Sequence, residues 1–280
     1  MKFPIPFVKM SGTGNDFILI DNRDHSIGSE EMRSLAIRVC RRRQSVGADG
    51  LILLQEDPEL DFSWRFFNSD GSEAEMCGNG ARCAARFANM SGIAGSGMVF
   101  RTIAGPIRAE VEDDGVRVQL TRPFGTEKSF DLELESGEEI EAGFIDTGVP
   151  HTVIVVPEGK LKEVPVELLG REIRYHPRFS PAGTNVNFVE ILDREGIRIR
   201  TYERGVEGET LACGTGAVAA AIICVLRRLV DPPVRVQTHG EDVLRIYLDG
   251  ENPVEGEVFL QGPALLVYRG QLTEETIRGG

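Results

Sequence analysis

Cys77-Gly78-Asn79-Gly80-Ala81-Arg82-Cys83-Ala84-Ala85 sets a cysteine and a glycine-rich turn directly before an alanine-rich run that continues to Asn89. The run predicts a helix whose first turn carries N–H groups without partners and the positive end of the helix dipole. A thiol at that point is expected to shift toward thiolate, and a carboxylate can be held beside it. The pattern recurs at Cys213-Gly214-Thr215-Gly216 before the apolar run Ala217 to Leu229, 136 positions on (213 − 77). Ala217 to Leu226 contains no charged residue, so this second helix must be buried on every side.

The surroundings repeat with the cysteines. The first half reads as a strand at Phe7 to Met10, a turn at Ser11 to Asp16 and a strand at Phe17 to Ile20. A helix capped by Ser29 follows, with the stripe Met32, Leu35, Ala36, Val39 and Cys40. Strands at Leu51 to Leu54 and Phe62 to Phe67 lead through a polar loop to Cys77, and three strands follow the helix: Met98 to Thr102, Ile107 to Val111 and Val116 to Leu120. In the second half, Ile145 to Gly148 and Thr152 to Val156 match the opening strand, turn and strand. Asn185 to Val189 and Ile197 to Tyr202 match the next two strands, and Val234 to Thr238, Val243 to Leu248 and Val258 to Gln261 follow the second Cys helix. A repeat at a constant offset signals a duplicated fold. The expectation is an α/β protein of two pseudo-symmetric lobes, each a strand-rich, barrel-like sheet wrapped around a central Cys-led helix, with the active site in the cleft between them. Residues 1–122 plus 264–280 would form the N-terminal lobe, with Leu265 to Tyr268 returning as a strand, and residues 123–263 the C-terminal lobe.

Composition narrows the function classes. A net charge of −13 argues against nucleic acid or an anionic membrane surface as partner. The basic cluster Arg41-Arg42-Arg43 is expected to close the first helix, where cations suit the dipole. No segment approaches the roughly 20 apolar residues of a membrane span, and Met1 to Pro6 lacks the apolar run of a signal peptide. Five cysteines at irregular spacing read as free thiols of a cytoplasmic protein, with Cys40, Cys83 and Cys224 as packing residues. The turn with Gly12 and Gly14 lacks both the Gly-Lys-Ser/Thr of a Walker loop and the helix that must follow a dinucleotide fingerprint.

Two thiols in matched settings suit one kind of chemistry. One thiolate removes a proton from one face of a carbon while the other thiol delivers a proton to the opposite face, which inverts the centre. The N–H groups of Gly78-Asn79 and Gly214-Thr215 would hold a substrate carboxylate and stabilise the charge that develops at the neighbouring carbon.

Thr13-Gly14-Asn15-Asp16-Phe17, Phe67-Asn68-Ser69-Asp70-Gly71, Cys77-Gly78-Asn79-Gly80-Ala81-Arg82, Tyr202-Glu203-Arg204-Gly205 and Glu209-Thr210-Leu211-Ala212-Cys213-Gly214-Thr215-Gly216 together closely resemble the diaminopimelate epimerase family, over nearly the whole chain. The resemblance implies interconversion of LL- and meso-diaminopimelate without pyridoxal phosphate, metal or other cofactor, in lysine and peptidoglycan precursor synthesis. It implies that Cys77 and Cys213 are the two acid/base groups, polarised by His151 and Glu203 respectively. It further implies that Asn15, Asn68, Asn185, Glu203 and Arg204 hold the substrate, the Glu203-Arg204 pair at its distal amino-acid end. The chain departs from the family pattern at Val149, where many members have asparagine before Pro-His. It also departs at Gly50, where some carry glutamine, and at Glu207, a one-residue insertion.

Other readings use the same residues. A proline or hydroxyproline racemase relative needs the same two thiols and a different distal pocket. A zinc-binding protein would draw on Cys77, Cys83, Cys213 and His151, but no CxxC or HxxxH spacing supports it. A thiol redox protein would join Cys77 to Cys213 on oxidation. A homodimer through exposed strand edges is compatible with the pattern.

Overall fold

The computed structural model describes residues 1–250 and 252–277. They fall into two compact units, Met1–Val118 with the segment from Gly262 onward, and Gln119–Gln261. In chain order the strands are β1 (Ile5–Gly12), β2 (Asn15–Asp21), β3 (Gly50–Gln55), β4 (Phe62–Asn68), β5 (Gly97–Thr102), β6 (Gly105–Glu112), β7 (Gly115–Leu120), β8 (Phe124–Glu133), β9 (Glu139–Asp146), β10 (Pro150–Val155), β11 (Asn185–Asp193), β12 (Gly196–Glu203), β13 (Gly208–Thr210), β14 (Val234–Gln237), β15 (Val243–Leu248), β16 (Val258–Gly262) and β17 (Leu265–Leu272). The helices are α1 (Ser29–Val39), α2 (Gly78–Met90), α3 (Val166–Arg174), α4 (Gly214–Leu226) and α5 (Glu274–Ile277).

The first unit orders its strands β17–β1–β2–β3–β4–β5–β6–β7, with β2/β3 and β4/β5 parallel and the rest antiparallel. The second orders them β8–β9–β10–β11–β12–β14–β15–β16, with β10/β11 and β12/β14 parallel and the rest antiparallel. Order and direction repeat strand for strand, so the duplication read from the sequence extends to topology. Each parallel contact needs a crossover, and the helices supply it: α1 and α2 in the first unit, α3 and α4 in the second.

Strand alternation sends side chains to two layers. In the second unit Val153 joins the cluster around α4, while its neighbour Ile154 joins the cluster containing Val166 and Ile173 of α3. In the first, Ile18, Ile20, Leu51 and Leu53 pack on Met32, Leu35, Ala36 and Val39 of α1. The other face meets the Cys-led helix: α2 packs on β1, β2, β3 and β6, and α4 on β9, β10, β11, β12, β14 and β15. Ala217 through Cys224 are buried without a break, as an uncharged helix requires. Ile223→Ala is therefore expected to cost about 2–5 kcal/mol, read by urea denaturation. A loss below about 1 kcal/mol would contradict this close packing.

Three local expectations are corrected. The N-cap of α1 is Gly28, not Ser29, and the Glu31 carboxylate accepts the Gly28 N–H (3.1 Å). That side chain satisfies an end group that Ser29, already helical, cannot reach. The helix ends at Val39, before the arginine cluster; Arg42 instead donates to Asp16 (2.6 Å) and Asp49 (2.8 Å), because two carboxylates outcompete a weak dipole end. Thr13 and Gly14, with φ of 53° and 88°, form the two-residue turn of the β1–β2 hairpin. The stripe Val166, Leu169, Gly170 and Ile173 marks α3, whereas β8, mostly exposed, carries little apolar signal. Among the described residues no helix is long and apolar enough to cross a membrane.

Candidate active site

Each cysteine is the N-cap of its helix, in extended conformation: Cys77 at φ −148°, ψ 118° and Cys213 at φ −128°, ψ 111°. Cysteine is not among the residues preferred at this position. Its use twice, where serine or aspartate would stabilise the helix better, points to chemistry over stability. Cys77 is half-buried and its Sγ accepts the Gly80 N–H at 3.5 Å. Cys213 is buried, with Sγ 3.4 Å from the Thr215 hydroxyl.

The expectation that the helix end draws both thiols toward thiolate fails for Cys213, whose pKa is pushed up to about 12. Burial is the main cause and the Glu203 carboxylate adds to it, while the Thr215 hydroxyl and the N–H groups of Gly216 and Thr215 pull the other way. A rise from 9.0 to about 12 corresponds to roughly 4 kcal/mol against the thiolate. A helix terminus supplies about 0.3–2 kcal/mol, so desolvation wins. Burial likewise raises Glu203. The interior thiols Cys83 and Cys224 are raised to about 12 by burial and serve as packing.

In the first unit a polar chain fixes the start of α2. The Asn79 amide donates to Asn15 Oδ1 (2.8 Å), and the Asn15 amide donates to Asp49 Oδ2 (3.0 Å). Asp49 and Asp16 share Arg42, and Lys9, itself buried, reaches Asp16 at 2.8 Å. Burial pushes Asp16 up, but the bonds from Arg42 and Lys9 outweigh it and hold the carboxyl at about 2. On the other side, fully buried Arg82 donates to Asn79 Oδ1 (3.0 Å) and to the Thr13 hydroxyl. Thr13 is a β-branched residue at positive φ, so the arginine ties down a turn that costs about 1–3 kcal/mol to hold. Gly12 lets this hairpin approach, since a Cβ there would lie 2.8 Å from the Asn79 carbonyl oxygen. Asn68 stands apart from the chain; its amide donates to Ser72 Oγ (3.0 Å), opposite Gly50 in the ladder. Gly50 has no room for a glutamine, because a Cβ would meet the Phe66 ring at 2.5 Å.

In the second unit, strand register gathers the remaining residues. His151 lies opposite Asn185, and Asn187 opposite Thr201. Alternation along β12 sets Glu203 on the same face as Thr201, Ile199 and Ile197, the last two of which pack around α4. The Asn185 amide donates to the Pro150 carbonyl (2.9 Å), and its Oδ1 accepts the Arg204 N–H (2.8 Å). The Arg204 guanidinium donates to the Ala182 carbonyl (3.2 Å). His151 is fully buried, and burial first, then the Arg204 charge, lowers its pKa to about 3, so it is neutral at physiological pH. Thr147 Oγ1 donates to the Thr215 carbonyl (3.3 Å), bracing the first turn of α4. The inserted Glu207 accepts from Arg174 (3.2 Å), Tyr202 (3.3 Å) and the Gly205 N–H (3.0 Å), which makes it a brace of its own turn.

The structure thus joins Asn15 to Asn79, next in the chain to Cys77 and Gly78, and brings the Glu203 carboxylate near enough to Cys213 to raise its thiol. Thr13, Arg82, Asp49, Asn187 and Thr201 escape sequence reasoning. Asn187 follows Asn185 by two and so shares its face, a signal that period-2 alternation carries. Among the described residues no group of three or more His, Cys, Asp or Glu is arranged to hold a metal.

The chain matches the family model of diaminopimelate epimerase over residues 7–124 and 143–267. It is 49% identical to the diaminopimelate epimerase of Aquifex aeolicus (strain VF5), covering 97% of this chain and 99% of that one. Identity to the diaminopimelate epimerase of Hydrogenobaculum sp. (strain Y04AAS1) is 47%, over 95% and 98% of the two chains. Among solved structures, a phenazine biosynthesis protein of the PhzF family from Bacillus anthracis superposes with a TM-score of 0.69 at 16% identity, covering 98% of this chain and 100% of that one. A hydroxyproline epimerase from Agrobacterium vitis superposes with a TM-score of 0.65 at 18% identity, over 98% and 94%. At such identities the two structures speak for the fold alone.

Proposed function

The chain belongs to the diaminopimelate epimerase family, and from that premise we propose that it is an isomerase interconverting LL- and meso-2,6-diaminopimelate by proton transfer between two cysteine sulfurs and one α-carbon. The observation that carries the reading is the paired N-cap cysteine, present once in each unit at the same point of the same topology. The reaction belongs to lysine and peptidoglycan precursor biosynthesis, and the reading calls for no cofactor.

The reaction requires the two sulfurs to address opposite faces of one carbon. In one direction Cys77, as thiolate, takes the α-proton while the Cys213 thiol gives up its own, so the C–H bond broken on one face is replaced by a C–H bond on the other. The pair then holds its protons in the reversed arrangement. A thiol held up at about 12 suits Cys213 to the donor role in the resting protein. The N–H groups of Gly78 and Asn79 and of Gly214 and Thr215 stand at orphan helix ends, suited to the substrate carboxylate and to the charge that builds as the α-proton leaves. His151 and Glu203 polarise Cys77 and Cys213, and Asn15, Asn68, Asn185, Glu203 and Arg204 position the substrate. The braced chain from Asp49 through Asn15 to Asn79 supports that role by fixing two amides before substrate arrives. The protein works in the cytoplasm, and β17, with Leu265, Val267 and Tyr268 exposed, offers an edge for a homodimer.

Incubation with LL-diaminopimelate, without added pyridoxal phosphate or metal, is expected to give an LL/meso mixture by chiral chromatography, with L-proline and trans-4-hydroxy-L-proline unchanged. Conversion of proline in place of diaminopimelate would overturn the substrate and leave the two-thiol chemistry.

A further inference from the structure

The duplication is broken at one level, behind the two cysteines. The third residue of each Cys-led helix is a glycine, and a Cβ built there reports what lies behind it. At Gly80 it would meet Ile52 Cδ1 (3.2 Å) and the Phe17 ring (3.7 Å); at Gly216 it would meet Asn187 Oδ1 (2.4 Å). Register extends the comparison. Phe17 pairs with Gly50 and Ile52 with Phe66 in the first unit, where His151 pairs with Asn185 and Asn187 with Thr201 in the second. Phe17, Ile52 and Phe66 are thus replaced by His151, Asn187 and Thr201, three buried polar side chains where the repeat keeps three apolar ones.

Hydrogen bonding orients this triad. The Asn187 amide nitrogen lies 3.1 Å from the Thr152 carbonyl oxygen and 3.1 Å from His151 Nδ1, and Asn187 Oδ1 accepts the Thr201 hydroxyl at 3.0 Å. A carbonyl can only accept, so the amide atom shared by Thr152 and His151 must be the nitrogen. Both N–H bonds are then assigned, one to the carbonyl and one to His151 Nδ1. Nδ1 is therefore an acceptor without a proton, and a neutral imidazole so bound carries its proton on Nε2. That Nε2 is buried and has no hydrogen-bond partner among the described residues.

We infer that Asn187 is a positioning residue that locks His151 as the Nε2-protonated neutral tautomer, which makes the imidazole a hydrogen-bond donor with no basic site free at Nε2. Burial keeps the ring neutral, so it offers that N–H without titrating. The inference rests on the proposed function only in what the donor serves: an anion formed in turnover, whose charge the N–H stabilises and whose proton it does not take. A buried donor left unpaired is costly, and such a cost is retained where a ligand or reacting group satisfies the donor.

The test is a two-bond 1H–15N correlation spectrum of the full chain labelled with 15N-histidine, followed between about pH 5 and about pH 8, where an ordinary imidazole titrates. His25 and His239 are exposed, and their signals serve as references. The expected result is a His151 ring that does not titrate, with Nδ1 unprotonated and Nε2 protonated. In Asn187→Asp, whose carboxylate only accepts, Nδ1 must carry a proton; the pattern is expected to invert or to become doubly protonated, with kcat down about 10²-fold and KM little changed. Should that variant not fold, Asn187→Ala removes the donor without adding charge and is expected to give both tautomers. A wild-type His151 that titrates or is protonated on Nδ1 overturns the inference, as does an unchanged tautomer in the folded variants. The predicted spectrum in a protein inactive on diaminopimelate would leave the tautomer standing and remove the proposed function; an active protein with the opposite tautomer would do the reverse.

Discussion

Cys213→Ser is expected to lose diaminopimelate epimerisation by at least about 10²-fold, and Cys77→Ser by as much, because a positioned acid/base group contributes about 10²–10⁴ and a serine hydroxyl cannot hold or release a proton near neutral pH. Stability should move the other way. Both positions are helix N-caps in extended conformation, and serine there stabilises a helix by about 1 kcal/mol over a residue that caps poorly. The two variants should therefore be less active and no less stable, a combination that unfolding cannot produce. Turnover and thermal unfolding measured on the same preparation check it. Retention of a tenth or more of wild-type activity by either variant would remove that cysteine from the proposed chemistry.

The second large effect is expected at Gly216. A Cβ there would lie 2.4 Å from Asn187 Oδ1 and 3.3 Å from Cys213 Sγ, inside the polar triad and against the thiol. Alanine gains up to about 1 kcal/mol of helix propensity over glycine, but overpacking of a buried site costs about 1–3 kcal/mol and moves the side chains it meets. Overpacking wins, so Gly216→Ala should lower stability by about 1–2 kcal/mol on balance and activity with it, since Asn187 and Cys213 are the groups displaced. Gly80→Ala is the control. Its nearest neighbour, at 3.2 Å, is the end methyl of Ile52, which can rotate away. That variant should be as stable as the wild type or slightly more so, by denaturant titration. Equal behaviour of the two alanine variants would mean that the asymmetry behind the cysteines has no energetic content.

The architecture was readable from the chain because duplication doubles every signal: two Cys-Gly-Asn/Thr-Gly turns at one offset, each between an alternating strand and an apolar helix. The buried course of α4 followed from the absence of charge in Ala217 to Leu226. What escaped depends on partners distant in sequence. The triad behind Cys213 exists only once β10, β11 and β12 are in register, bringing His151 to Asn187 across 36 positions. Arg82 reaches Thr13 across 69 positions, and nothing in either local sequence announces the bond. The thiol's direction of shift was misread for a related reason: a helix start can be seen in sequence, whereas the desolvation that overrides it at Cys213 depends on the packed surroundings. Arg42 shows the same limit, since its carboxylate partners Asp16 and Asp49 belong to the strand ends that the hairpin and crossover bring together.

The most direct test of the two-thiol account follows isotope entry in the first turnovers with LL-diaminopimelate in D2O. The account predicts meso product carrying solvent deuterium at the inverted α-carbon, while LL substrate recovered at the same early time remains unlabelled, because the sulfur that takes the proton is not the one that supplies it. Product that keeps the substrate's own proton, or deuterium entering recovered substrate as fast as product, would assign both transfers to one base and contradict it.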